Sequence, residues 1–278
     1  MPNIKRLCLT ALFLLTLNAC SARQDATLPS APPKTRDVAA ELKAGQIWKQ
    51  FMETSGKAAA ASGPFRISAT MRYKGEDGTN NRVSVLFWGN GNPGSPRPLR
   101  LDLLAGIGIV AAQIREDAKN FVAFVPNKKI SYTYDGESRT ISSFGVPLPL
   151  SLSDLALLLT GCYGELFSPG AVRMPRTYAL TARGAEYALE KTKLGGILEL
   201  SETGLPLSWR EDAAGWSMDM EYAEDAQAIP ERLRVSHPRG YSALVIIRDM
   251  ERVSPPYESG QLALLIPEGT ENRAITPR

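Results

Sequence analysis

Histidine occurs once in 278 residues and cysteine three times, and that scarcity removes several chemistries at the outset. A site built on imidazole and thiolate needs three or four such ligands at short spacing, and no segment supplies them, so no metal is expected. His237, in the run Ser-His-Pro-Arg-Gly, stands just before a turn and reads as a surface loop residue rather than a base. Cys162 lies in an apolar segment with no histidine nearby and reads as a buried, inert thiol. The chain has no G-x-S-x-G elbow, and the glycine-rich Gly89 to Gly94 falls between two strands rather than ahead of a helix, where it would cradle phosphate. The carboxylate pairs Glu116/Asp117 and Glu211/Asp212 fall at strand ends and read as solvated turns. An enzyme is therefore not expected, and no cofactor is called for. Charge of one sign is also missing: the formal net charge is +3, without a basic run, which speaks against a nucleic-acid partner.

What is present begins at the N-terminus. Lys5 and Arg6 precede an apolar run from Leu7 to Leu17, too short to span a bilayer but of the length of a secretory signal. It ends in Leu17-Asn18-Ala19-Cys20, which resembles the bacterial lipobox. The resemblance implies a signal peptide over 1–19 and a diacylated, membrane-anchoring Cys20 at the mature terminus. Two or more acyl chains hold a protein on the bilayer without a spanning helix. Ser21 follows, and by analogy with enterobacterial lipoproteins the lack of Asp there directs the protein to the outer membrane. Removing 1–19 takes Lys5 and Arg6 with it, so the charge falls from +3 to +1. Cys8 also leaves, and with Cys20 alkylated, Cys162 is the one free thiol, which excludes an intramolecular disulfide.

Residues 20–36 hold Pro29, Pro32 and Pro33 without apolar periodicity and read as a tether. Asp37 caps a helix carrying Val38, Leu42, Trp48, Phe51 and Met52, ending at about Gly56 or fraying through the alanines to Gly63. From Gly63 the chain turns to period-two alternation: Phe65, Ile67, Ala69, Met71 and Tyr73 share one face, then Val83, Val85 and Phe87, then Leu99, Leu101 and Leu103. Short strands continue at Ile109 to Arg115, Phe121 to Val125 and Ile130 to Tyr134, joined by polar turns, so the sheet is antiparallel. One interruption, Ser151 to Thr160, reads as a short helix capped by Ser151 or Ser153, with Leu152, Leu155, Leu158 and Leu159 laid on the sheet. Seven further strands fit between Thr177 and Val253, Gln261 to Pro267 reads as one more short strand or a sealing segment, and 269–278 as a loose tail. About a dozen strands and two helices suit one long curved sheet, a single domain over 37–268.

The turn Ala105-Gly106-Ile107-Gly108 is the odd connection: its single large side chain is apolar and stands between two glycines. Such a knob is either tucked into the core or offered to something outside.

The helix with Trp48, the strands GPFRISATMRY, RVSVLFW and LRLDLL, the turn AGIG and the later GVPLPLSLSDLALLLTG resemble the LolB family of outer-membrane lipoprotein receptors and the wider superfamily that holds the periplasmic carrier LolA. The match runs from Leu42 to Gly161. After Thr177 the segment IIRDMERV...LALLIPEG looks more like the LolA side. The resemblance implies a mainly β, α+β fold: an unclosed antiparallel half-barrel of about eleven strands with a helical lid over an apolar cavity. It also implies that Ile107, between Gly106 and Gly108, enters the membrane. The acyl-chain cavity would be lined by Phe65, Ile67, Met71, Val83, Val85, Leu101, Leu103, Ile109 and Phe121, under Leu155, Leu158 and Leu159. Its partners would be the lipid bilayer, lipoprotein acyl chains and a LolA-like periplasmic carrier. The pattern gives the faces and not the void; a dry, packed core with the same faces, in a structural or hydrophobic-ligand-binding lipoprotein, is the other reading.

Overall fold

The computed structural model describes residues 37–75, 78–91, 98–135, 141, 148–168, 173–190, 192, 194–211, 213–224 and 228–275. Cys20, the lipobox and the tether lie outside them. Val38–Arg278 forms one compact unit, and the whole buried core lies within it, so this part carries its own fold.

Helix α1 (Val38–Ala60) buries Ala44, Ile47, Trp48, Phe51 and Ser55, one helical stripe. Val38 and Leu42, apolar residues of the first turns, are more than half exposed. The strands follow the alternation: β1 (Phe65–Lys74), β2 (Asn80–Gly89), β3 (Leu99–Ala105), β4 (Ile109–Glu116), β5 (Asn120–Val125) and β6 (Ile130–Asp135). Helix α2 (Leu152–Leu159) comes next, then α3 (Tyr163–Phe167), a short helix that the sequence pattern missed. A second meander comprises β7 (Tyr178–Leu180), β8 (Gly184–Leu189), β9 (Gly196–Ser201), β10 (Pro206–Glu211), β11 (Trp216–Glu221), β12 (Arg232–Ser236) and β13 (Ser242–Arg252).

Strand β13 returns to pair antiparallel with β1 along its full length, with a bulge at Ser68/Ala69, and so welds the two meanders into one sheet. Among the described residues the sheet has 14 strands, more than the dozen expected, with β7 at one edge and a final strand, β14 (Glu271–Ala274), at the other. That strand corrects two expectations. The segment 269–278 is not all loose tail, and the sheet is not antiparallel throughout, because β14 pairs parallel with β6. The driving force is backbone pairing on an open edge: Glu271 N–H donates to the Lys129 carbonyl and Ile275 N–H to that of Thr133. Its side chains are all exposed, so no apolar period announces it. Of the two forms expected for Gln261 to Pro267, a strand or a sealing segment, the chain takes the second, an irregular strap. The strap buries Leu262, leaves Leu265 exposed and is pinned where Arg100 Nη1 donates to the Ala263 carbonyl at 2.7 Å.

The helices line one face of the sheet. Trp48 packs at 5.0 Å between ring centroids on both Phe51 and Tyr187, and Tyr187 Oη donates to the Ala44 carbonyl at 2.7 Å, which seats α1 on β8. The β9–β10 turn passes so close to α1 that a Cβ on Gly204, which has φ +79°, would lie 2.5 Å from Phe51 N.

Candidate functional site

The lid of the half-barrel is α2, and its seat starts from its own sequence. Ser151 caps it with a reciprocal box: Asp154 N–H donates to Ser151 Oγ at 3.0 Å and Ser151 N–H to Asp154 Oδ2 at 3.1 Å. The residue expected as a solvated turn, Glu116, is in fact 2% exposed. From the end of β4 its carboxylate accepts the backbone N–H groups of Leu152 and Ser153, both at 3.1 Å, and the Ser153 hydroxyl. A carboxylate at the helix N-terminus meets orphan donors and the positive end of the helix dipole, so burial there is compensated. Glu116 thus latches the lid to the sheet. The sequence did offer a signal, an acid at a strand end matched by a helix N-terminus, but nothing local joins residues 116 and 152.

Beneath the lid lies an apolar enclosure. Of the residues named from sequence, Ile67, Met71, Val85, Leu101, Leu103, Leu155 and Leu159 line it. The expected residues Phe65, Val83, Phe121 and Leu158 are buried in the same core but stand away from this space. Phe87, Ala69, Val245, Ile141 and Leu148 complete the lining. Ala69 and Phe87 share the period of their strands and were legible; Val245 enters only through the β1–β13 pairing. With the lid seated, the space a water molecule could occupy is about 20 Å³, enough for about one water and far less than an acyl chain requires. The lining offers that water no polar partner, so the enclosure is dry.

Ile109 is corrected from a cavity residue to a surface one, 67% exposed. A bulge at Leu103/Leu104 sets Ile109 opposite Ala105, which in turn pairs with Val83, so Ile109 keeps the concave side but stands at the rim. Ile107 settles its own alternative: it is 102% exposed. Gly106 and Gly108 flank it with φ of +57° and +73°, and a Cβ at either would meet nothing within 4 Å. The turn therefore adopts a left-handed path that glycine takes without strain, and it projects clear of the protein. Together Ile107 and Ile109 form an apolar lip beside the enclosure.

The phenols of Tyr163, Tyr222 and Tyr187 and the Cys162 thiol, near the helices, are held neutral. Burial, then the proximity of Tyr222, pushes the Tyr163 phenol well above its ordinary value; its hydroxyl donates to the Ala228 carbonyl at 2.6 Å and accepts from Tyr222 at 3.1 Å. Burial likewise raises Tyr222 and Tyr187. Cys162 is fully buried, and burial raises its thiol, so it is a poor nucleophile. His237 lies in a turn, with Nδ1 accepting Arg239 N–H at 3.1 Å and Nε2 against the Ala214 carbonyl at 2.8 Å. Among the described residues no group of three or more His, Cys, Asp or Glu is placed to hold a metal.

No family model matches this chain, and no curated protein matches it by sequence. Solved structures do match. The fold is similar to that of a DUF1329 family protein from Desulfovibrio piger, with a TM-score of 0.53 and 13% identity, covering 78% of this chain and 98% of that one. It is also similar to a LolA superfamily protein from Nitrosomonas europaea, with a TM-score of 0.51 and 10% identity, covering 74% and 93% respectively. At such identities the likeness speaks for the fold: an unclosed antiparallel half-barrel of the LolA type with a helical lid.

Proposed function

We propose that this protein is a lipid-anchored lipoprotein on the periplasmic side of the bacterial outer membrane, a LolB-like receptor of the LolA/LolB superfamily that binds acyl chains and helps insert lipoproteins into that membrane. The observation that carries the reading is the lip: a fully exposed Ile107 on a glycine-flanked turn, with Ile109 beside it, next to an apolar enclosure. Supporting it are the LolA-like fold and the lipobox ending in Cys20. The enclosure as folded holds no acyl chain, so uptake requires α2 to lift from Leu101 and Leu103. Each methylene then buried contributes about 0.8 kcal/mol, enough for several chains to hold the lid open without polar recognition. Chains arrive from a LolA-like carrier and leave past the lip into the bilayer, down an affinity gradient, with no nucleotide or cofactor.

The test is Ile107→Glu. Because the side chain touches no core, stability should stay within about 0.5 kcal/mol of wild type. Transfer of a triacylated lipoprotein to membranes should fall roughly ten- to a hundredfold, the burial lost with one isoleucine. Transfer at the wild-type rate would end the insertion role. One observation favours a second reading, a structural lipoprotein of the same fold without transfer: the enclosure retains only about 20 Å³. An acyl-uptake assay separates the two.

A further inference from the structure

The face of the sheet turned away from the helices carries, near the rim that bears Ile107, a pair of arginines that no carboxylate neutralises among the described residues. Arg72 on β1 and Arg82 on β2 are directly opposite each other, and both are exposed. Like charges in that arrangement repel, so the fold keeps them at a cost to stability. The row continues through Leu244 on β13 to Arg234 on β12. On the β11 side of this row Asp219 is opposite Arg234 in the ladder, and Glu221 reaches Arg234 at 3.8 Å and Arg232 at 3.4 Å; Asp102, Asp249 and Glu251 lie on the same face farther from the rim, where Asp102 pairs with Arg100 and Glu251 with Arg66. Among the described residues no carboxylate pairs with Arg72 or Arg82. Around them is a groove of about 470 Å³, whose wall also offers Lys74, Asn80 and Ser242 as hydrogen-bond donors.

The position in the fold is as telling as the charge. Val83 pairs with Ala105, so Arg82, the next residue toward the rim, lies alongside Gly106 at the foot of the Ile107 turn. The β1–β2 and β12–β13 turns end at the same rim, because Lys74 pairs with both Asn80 and Ser242. A turn that enters a bilayer therefore brings this groove to the depth of the headgroups.

We infer that the groove is a phosphate-ester site, in which Arg72 and Arg82 receive the headgroup phosphate of an anionic lipid at the surface that the Ile107 turn enters. A guanidinium fork binds phosphate oxygens in pairs, and the phosphate's charge relieves the repulsion between the two arginines. The inference takes its source of phosphate from the proposed membrane role and its site from the geometry alone.

The experiment uses the Val38–Arg278 unit, which lacks Cys20, so that binding reports the protein surface and not an anchor. Binding is measured to vesicles of phosphatidylcholine alone, to vesicles of phosphatidylcholine with phosphatidylglycerol, and to soluble glycerol phosphate. Wild type should prefer the phosphatidylglycerol vesicles, and added salt should erase the preference. Arg72→Gln/Arg82→Gln should weaken binding to those vesicles about thirtyfold, about fivefold per charge, leave phosphatidylcholine binding unchanged and, with the repulsion gone, raise the melting temperature slightly rather than lower it. Ile107→Glu should weaken binding to both kinds of vesicle. Equal binding of the double variant and wild type to phosphatidylglycerol vesicles overturns the inference, even where soluble glycerol phosphate still depends on the arginines. If Ile107→Glu changes nothing while the double variant loses the anionic vesicles, the groove stands and the insertion reading falls.

Discussion

The lid latch gives the sharpest single-residue expectation. In Glu116→Gln the shape of the side chain is kept, but one of two acceptor oxygens becomes an NH₂ group. Glu116 Oε1 accepts Ser153 N–H and the Ser153 hydroxyl, and Oε2 accepts Leu152 N–H. Whichever way the amide turns, a donor at the buried start of α2 loses its acceptor and faces another donor. The charge that answered the helix dipole is lost as well. A hydrogen bond to a charged group is worth about 1.5–3 kcal/mol, and a stranded buried donor costs about 1–3 kcal/mol. Since these overlap, the expected loss is about 2–3 kcal/mol, which in a domain of this size lowers Tm by about 4–12 °C. Hydrogen exchange at the Leu152 and Ser153 amides should quicken by more than the global loss, because the lid opens without the sheet unfolding. Acyl uptake should speed up in the same variant. A Tm within a degree of wild type, or unchanged protection at those two amides, would refute the latch.

Other expectations follow from the same enclosure and its surroundings. Leu155→Ala removes a lid side chain that is 4% exposed; it should destabilise by about 2–5 kcal/mol, read by denaturant midpoint. The enlarged space should also bind a small apolar probe that wild type excludes. Tyr163 and Tyr222 have folded pKa values raised by burial, so the native state holds their protons where the unfolded chain releases them. Their contribution is fully present below about pH 10 and is lost as pH rises above it, at up to about 3 kcal/mol per pH unit for the pair. A Tm profile flat across that range, or phenolate absorbance of both rings appearing near pH 10 before unfolding, would contradict this.

Much of the fold was legible because the strands alternate. Ile67, Ala69 and Met71 point one way by period alone, and Ser151 with Asp154 spells a capping box three residues apart. Elements held by backbone pairing were not. The residues Glu-Asn-Arg-Ala of β14 carry no apolar face, and their strand exists because β6 leaves an edge open. At Gln261 to Pro267 the apolar run left a strand and a sealing segment both open; only Leu262 reaches the core, and Arg100 holds the strap through a carbonyl.

For the site, the sequence marked Ile107 as unusual but left its direction open, since the flanking glycines permit either path. Seven of the residues it named line the enclosure, and it counted Ile109 among them although Ile109 stands exposed at the rim, because the bulge at Leu103/Leu104 and the reach of the lid are tertiary facts. Glu116 and the arginine row needed pairings between distant residues: 116 with 152, and Arg72 with Arg82 beside Gly106.

The central claim is that the lid lifts to admit acyl chains. Native mass spectrometry of the Val38–Arg278 unit mixed with a triacylated lipoprotein peptide tests it most directly. The account expects a one-to-one complex, strengthened by Glu116→Gln, which loosens the lid, and weakened by Leu103→Gln, which places an amide inside the enclosure. A mass without bound peptide for wild type and for the loosened lid alike would contradict it, and would identify a packed half-barrel that takes no chain.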